Sequence, residues 1–260
     1  MTLAARNIAV GQWCFRYRNA VFPIIFTVSP LILLRPRVMF GNPVMDRLLV
    51  VSGVVIVVLG EGVRLLTIGL EYIERGGRNK QVWASRLVQS GMYAHTRNPM
   101  YLGNLLIAVG MCMVSGAPAA YLVLIPLFVF IYQAIMAAEE AFLHHAFGAD
   151  YVAYCGRVPR LMPSLKGLRQ TLAGTEYHWR RAVRKDLGTM TGLAVGLLCF
   201  SVWRVYFLEG FGAATAKVPA AIGLILAVLV LYGALHYLKK RRLLFYLPTH
   251  LPPDGPGGLR

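Results

Sequence analysis

The stretch RNPMYLGNLLIAVGMCMVSGAPAAYLVLIPLFVFIYQAIMAAEE, Arg97–Glu140, decides the fold. It reads as two apolar runs, 99–115 and 117–138, joined by little more than SGAP. A helix needs about 20 apolar residues to cross a bilayer core. The two runs therefore predict a tight antiparallel hairpin of membrane helices. Polar residues gather where the hairpin opens: His95, Arg97, Asn98 and Tyr101 at one end, Glu139 and Glu140 at the other.

The rest of the chain agrees with a membrane protein. Of 260 residues, 57% are hydrophobic and only 15% are charged, against about 25% charged in a soluble domain. Mean hydropathy is +0.57. Further spans are expected at 20–34, 48–70, 188–207 and 218–238, which makes about six in an all-α polytopic fold. The first is short and carries Pro23 and Pro30. The N-terminus has no long apolar signal region and no cleavage site.

The net charge of +16 is not spread evenly. One set of loops holds most of the Lys and Arg; the opposite loops hold only Arg35, Arg37, Arg47 and Lys217. The positive-inside rule then puts both termini in the cytosol. The basic face suits anionic lipid, and no nucleic-acid partner is needed to account for the charge. The four cysteines, Cys14, Cys112, Cys155 and Cys199, form no CxxC pair and read as small fillers, not a disulfide or zinc framework. The segment 157–187, with HWRRAVRK, reads either as a surface amphipathic helix or as a solvated basic linker. The tail LPTHLPPDGPGGLR is expected to be disordered.

Three polar groups then converge on the cytosolic ends of neighbouring spans. Pro99 suits the first position of a helix and Asn98 its N-cap. The open N–H groups there, with Arg97, suit an anion. Glu139 and Glu140 end the next span, and a nearby cation would relieve their mutual repulsion. In the span before the hairpin, GEGVRLL places Glu61 and Arg64 three residues apart on one helix, where they can pair. Ionisable residues inside a span are costly and point to function. The plainer readings are a capped, snorkelling helix end for Arg97/Asn98, an exposed helix end with acids facing water for Glu139/Glu140, and a self-satisfied pair for Glu61/Arg64. Glu140 and His144 have metal-ligand spacing, but few histidines lie near this face and no metal is expected.

The residues GEGVRLL, LVQSGMYAHTRNPMYLG and EEAFLHHAFGADYVAYCGRVPRLMPS resemble the isoprenylcysteine carboxyl methyltransferase and phospholipid methyltransferase superfamily from about Gly60 to Pro163. The family's RHP reads RNP here, and Gln133 stands where some carboxyl methyltransferases carry arginine. The resemblance implies an integral-membrane enzyme using S-adenosylmethionine, with a cytosolic pocket closed by the segment after Glu139/Glu140. It implies that Tyr93, His95, Arg97, Asn98, Tyr101, Glu139 and Glu140 hold the cofactor. Arg64 matches an arginine near the acceptor, with Glu61 beside it as a candidate catalytic acid. Gly103 and Gly110 would let the hairpin helices approach closely. The acceptor would be a membrane lipid or lipidated small molecule, methylated at a carboxylate oxygen, an amine or a thiol. A nicotinamide-dependent reductase of the sterol-reductase relatives and a non-enzymatic scaffold are the competing readings. The expected organisation is an N-terminal segment and first span (1–43), a methyltransferase core (44–164), a basic linker with two further spans (165–245) and the tail (246–260). Those two further spans have no assigned role, and the oligomeric state is not legible.

Overall fold

The computed structural model describes residues 3–32, 35–38, 41–71 and 81–241. The Pro/Gly-rich tail, expected to be disordered, lies outside them. Seven helices follow one another: α1 (Leu3–Ile32), α2 (Pro43–Leu70), α3 (Pro99–Ser115), α4 (Ile125–Arg157), α5 (Leu168–Gly174), α6 (Trp179–Glu209) and α7 (Phe211–Lys240). A π-helical turn, Ala120–Leu124, leads into α4, and a 3₁₀ turn, Gly91–Ala94, precedes α3. Among the described residues there is no β-strand.

Four helices are long and apolar enough to cross a membrane: α2, α4 with its π turn, α6 and α7. The fifth apolar helix, α3, has 17 residues, about 26 Å of rise. The expected first span is part of a longer helix, because α1 begins at Leu3 and carries Arg6, Arg16 and Arg18 before residue 20, the expected start of that span. Leu224, Leu226, Val230 and Leu231 of α7 point outward, as lipid-facing side chains should.

The hairpin forms as expected. Gly116 closes α3 in the left-handed conformation (φ 61°), a cap that favours glycine. Its glycines, however, face a different partner. Gly53 and Gly60 of α2 meet Gly110 and Gly103 of α3, so the close approach is between α2 and α3, not within the hairpin. A Cβ on Gly110 would stand 2.6 Å from the Gly53 carbonyl, and one on Gly60 2.7 Å from the Gly103 carbonyl. The pairs run in opposite chain order, which makes the two helices antiparallel. Small residues let backbones touch where lipid supplies no hydrophobic drive.

The first of the two C-terminal helices, α6, is not an appendage. Asp186 of α6 pairs with Arg64 of α2, and Arg204 of α6 pairs with Asp46 of α2; all four side chains are buried. Eighteen residues separate the acid from the base on each helix. That is five turns, about 27 Å, so each helix presents both charges on one face. Antiparallel packing matches acid to base at both ends. Arg204 also donates to the Ser115 carbonyl at 3.3 Å, against the cap of α3. HWRRAVRK, read as a surface helix or linker, instead continues into the first turns of α6; α5 beside it is only seven residues. Cys14 and Cys112 sit in the core, Cys155 is half-buried and Cys199 is exposed.

Two outcomes follow for stability. Gly110→Val should lower the midpoint of thermal unfolding in detergent by forcing α2 from α3, at a cost of about 1–3 kcal/mol or more. Asp46→Ala should cost about 3–5 kcal/mol by leaving Arg204 buried and unpaired. The exchange Asp46→Arg with Arg204→Asp should recover part of that loss in the same melting assay.

Candidate functional site

Asn98 occupies the N-cap position of α3 and Pro99 follows it, but the Asn98 side chain caps nothing. Its amide donates to the Arg160 carbonyl at 2.9 Å and to Glu140 Oε1 at 3.4 Å. This belongs to a wider clasp between residues 95–98 and 159–164. The Arg97 N–H donates to the Pro159 carbonyl at 2.9 Å, and the Ser164 N–H to the His95 carbonyl at 2.9 Å. The Thr96 hydroxyl, wholly buried, donates to the Leu161 carbonyl at 2.9 Å. HTRNP and VPRLMPS are thus two halves of one stitched lid.

His95 is a strut of that clasp. Its Nδ1 lies 2.8 Å from the Ser164 carbonyl, which requires a proton on Nδ1, and its Nε2 accepts from the Thr171 hydroxyl at 2.9 Å. Both ring nitrogens are thus engaged by the 164–171 segment.

The acidic pair separates into two environments. Arg160 Nε lies 3.0 Å from each Glu140 oxygen, and its Nη1 donates to Gln133 at 2.6 Å. Arg97 stands 3.8 Å from Glu140 on another side. Its Nη1 donates to Cys155 Sγ at 2.7 Å, while its buried Nε has no hydrogen-bond partner. Burial works against the Arg97 charge, but Glu140, Cys155 and Tyr151 outweigh it and hold its pKa above the ordinary arginine value. Glu139 instead accepts from the Tyr101 hydroxyl at 2.6 Å.

Further along α3, Asn104 stands five residues beyond Pro99, about 7.5 Å deeper. Here Arg64 donates from Nε to Asp186 Oδ2 at 3.0 Å, from Nη2 to Asp186 Oδ1 and to the Thr189 hydroxyl, and from Nη1 to Asn104. Glu61 Oε2 lies 3.3 Å from Arg64 Nε, but neither Glu61 oxygen accepts a hydrogen bond. The expected Glu61–Arg64 pair therefore exists only as a loose ionic contact. The tight partner is Asp186, 122 residues away in sequence.

Both clusters open on one cavity of about 830 Å³, walled by α1, α2, the 82–88 loop, α3, α4 and α6. Arg64, Tyr93, Arg97, Asn98, Tyr101, Glu139 and Glu140 line it. Glu61 and His95 are not among the residues that line it, although Glu61 stands 3.3 Å from Arg64, which does. Apolar and aromatic side chains, Phe15, Phe22, Tyr132 and Ile135, line it as well. The volume falls in the range of small-molecule sites, about 300–1,000 Å³.

The sequence reading missed Asp186, Thr189, Asn104 and Arg18 as parts of this site. Asp186 carried a legible signal: an acid eighteen residues before Arg204, repeating the interval from Asp46 to Arg64. Asn104 and Thr189 carried none, since polar residues of their size are common in membrane helices. Arg18 reaches the cavity from α1, outside the motifs.

The phospholipid methyltransferase family matches residues 48–150. The cobalt-zinc-cadmium resistance protein CzcN of Cupriavidus metallidurans is 28% identical over 164 residues, covering 62% of this chain and 71% of that protein. The human protein-S-isoprenylcysteine O-methyltransferase is 31% identical over 128 residues, 47% of this chain and 44% of that protein. The chain thus spans under half the length of the human relative it matches. No solved structure matches it. GEGVRLL, RNPMYLG and the acidic pair all lie inside the stretch, residues 48–150, over which this chain is similar to the phospholipid methyltransferase family.

Proposed function

We propose that the protein is a membrane methyltransferase that takes a methyl group from S-adenosylmethionine and passes it to a lipid-like or prenyl-type acceptor at the cytosolic membrane face. The observation that carries this reading is the acid–base cluster at the mouth of α3, opening on a cavity that apolar side chains also line. Both termini lie in the cytosol on this reading, with residues 44–164 as the methyltransferase core.

The residues present fit the cofactor's chemistry. Glu139 and Glu140 can accept from an ammonium and from ribose hydroxyls. Arg97 has an Nε–H without a partner, and with the open N–H groups at the start of α3 it suits a carboxylate. Tyr93, Tyr151 and Tyr154 line the same end, where aromatic faces attract a cation. When bound, S-adenosylmethionine supplies a methyl carbon activated by a sulfonium.

The chain's own part is alignment and exclusion of water, which in-line displacement at carbon needs more than a strong base. Arg160 and Arg97 fix Glu140 from two sides, so its oxygens need not reorganise when a cation arrives. The clasp between 95–98 and 159–164 holds the lid that carries Arg160. Among the described carboxylates, Glu139 and Glu140 line the cavity and could take a proton from a thiol or amine acceptor. The apolar lining of Phe15, Phe22 and Ile135 suits an acyl or prenyl tail.

Titration of purified protein tests the cofactor. S-adenosylmethionine should bind, and Arg97→Ala and Glu140→Gln should each weaken it by at least about thirtyfold, the lower end of about 2–5 kcal/mol for a broken buried charge contact. Tight binding of NADPH with none of S-adenosylmethionine would replace this reading by the reductase, and binding of neither by the scaffold. Extraction of lipid after incubation with a labelled methyl donor should place label in a membrane-soluble product.

A further inference from the structure

The superfamily resemblance puts Arg64 beside the acceptor, where a free guanidinium would suit a carboxylate. In this structure the guanidinium is already taken. Nε and Nη2 form a two-pronged fork with the Asp186 carboxylate, Nη2 also reaches Thr189, and Nη1 reaches Asn104. The Thr189 hydroxyl in turn donates to Asp186 Oδ1 at 3.1 Å, which fastens the acid from its own helix. The Asp186 side chain is entirely buried. Four of five arginine N–H donors have acceptors, and no second fork remains.

The charges point the same way. Arg64 faces two acids, Asp186 and Glu61, the latter at 3.3 Å. A third carboxylate brought here would face two acids that already share the Arg64 guanidinium, in a setting where water screens poorly. Asn104 and Thr189, which line the cavity with Arg64, are neutral.

We propose that Asp186 is a built-in counter-carboxylate that fills the Arg64 fork, so that the cavity's Arg64 end admits an acceptor whose reacting group is not an anion. α6, outside the stretch that matches the phospholipid methyltransferase family, would thereby set specificity. The idea rests on the methyltransferase reading, with the Arg64 end as the acceptor end. Asp186 acts through Arg64 and is a positioning residue.

The test compares two probes on the full chain in lipid nanodiscs: a farnesyl thioether bearing a free carboxylate, and its methyl ester. Wild-type protein should bind the ester at least about tenfold more tightly. Asp186→Asn should raise affinity for the acid at least about tenfold and leave the ester within about threefold, whereas Asp186→Glu should keep the preference for the ester. A wild-type preference for the acid would overturn the proposal, and that ratio decides the matter even if the Asn variant does not fold. A folded Asn variant with unchanged affinity for the acid, or binding of neither probe by wild type, would overturn it too. S-adenosylmethionine titrated into the same samples separates the two ideas: its failure to bind sinks the methyltransferase reading, while the acid-to-ester ratio still reports on the Arg64 fork.

Discussion

Two buried ion pairs between α2 and α6 set the geometry on which the site depends. An unpaired charge in an apolar interior is costly enough that it must find its partner. Asp46 and Arg64 lie five turns apart on α2, as Asp186 and Arg204 do on α6. Only one antiparallel register satisfies all four charges. Sliding α6 by a turn, or rotating it, would break both pairs together. The separation, about 27 Å, is close to the thickness of a hydrocarbon core of about 30 Å, so the clamps sit near its two edges and the helices between can be apolar. One clamp steadies the cap of α3 through Ser115. The other forms the floor of the cavity.

The glycine contacts act in the same sense. Gly53, Gly60, Gly103 and Gly110 bring the backbones of α2 and α3 into contact. That closeness carries Arg64 across to Asn104. A helix pair held apart by larger side chains would leave this arginine short of α3. Close packing and ionic register thus converge on one residue, Arg64.

At the mouth of α3 the polar residues answer two demands. His95, Thr96 and Asn98 satisfy the backbone of the 159–164 segment and hold the lid. Arg97, Tyr101, Glu139 and Glu140 face the cavity, with Tyr93 beside them. The gathering of polar groups at one helix mouth has a structural part and a chemical part, and Asn98 belongs to both, since it binds the Arg160 carbonyl and lines the cavity. Arg160 belongs to both, since its carbonyl binds Asn98 and its guanidinium binds Glu140.

The sequence by itself determined an all-helical membrane protein, the α3–α4 hairpin and the residues of its mouth, because apolar length, a glycine-capped turn and Pro-led helix starts are local properties. The tertiary structure alone decided which helix each glycine touches, that Asp186 and not Glu61 is the tight partner of Arg64, and that His95 is held by Ser164 and Thr171. Helical periodicity places a side chain on a face but does not say what the face meets. Asp186 and Arg64 are 122 residues apart in the chain, and only the packing of α6 onto α2, enforced by the cost of leaving either charge alone in an apolar interior, brings them together.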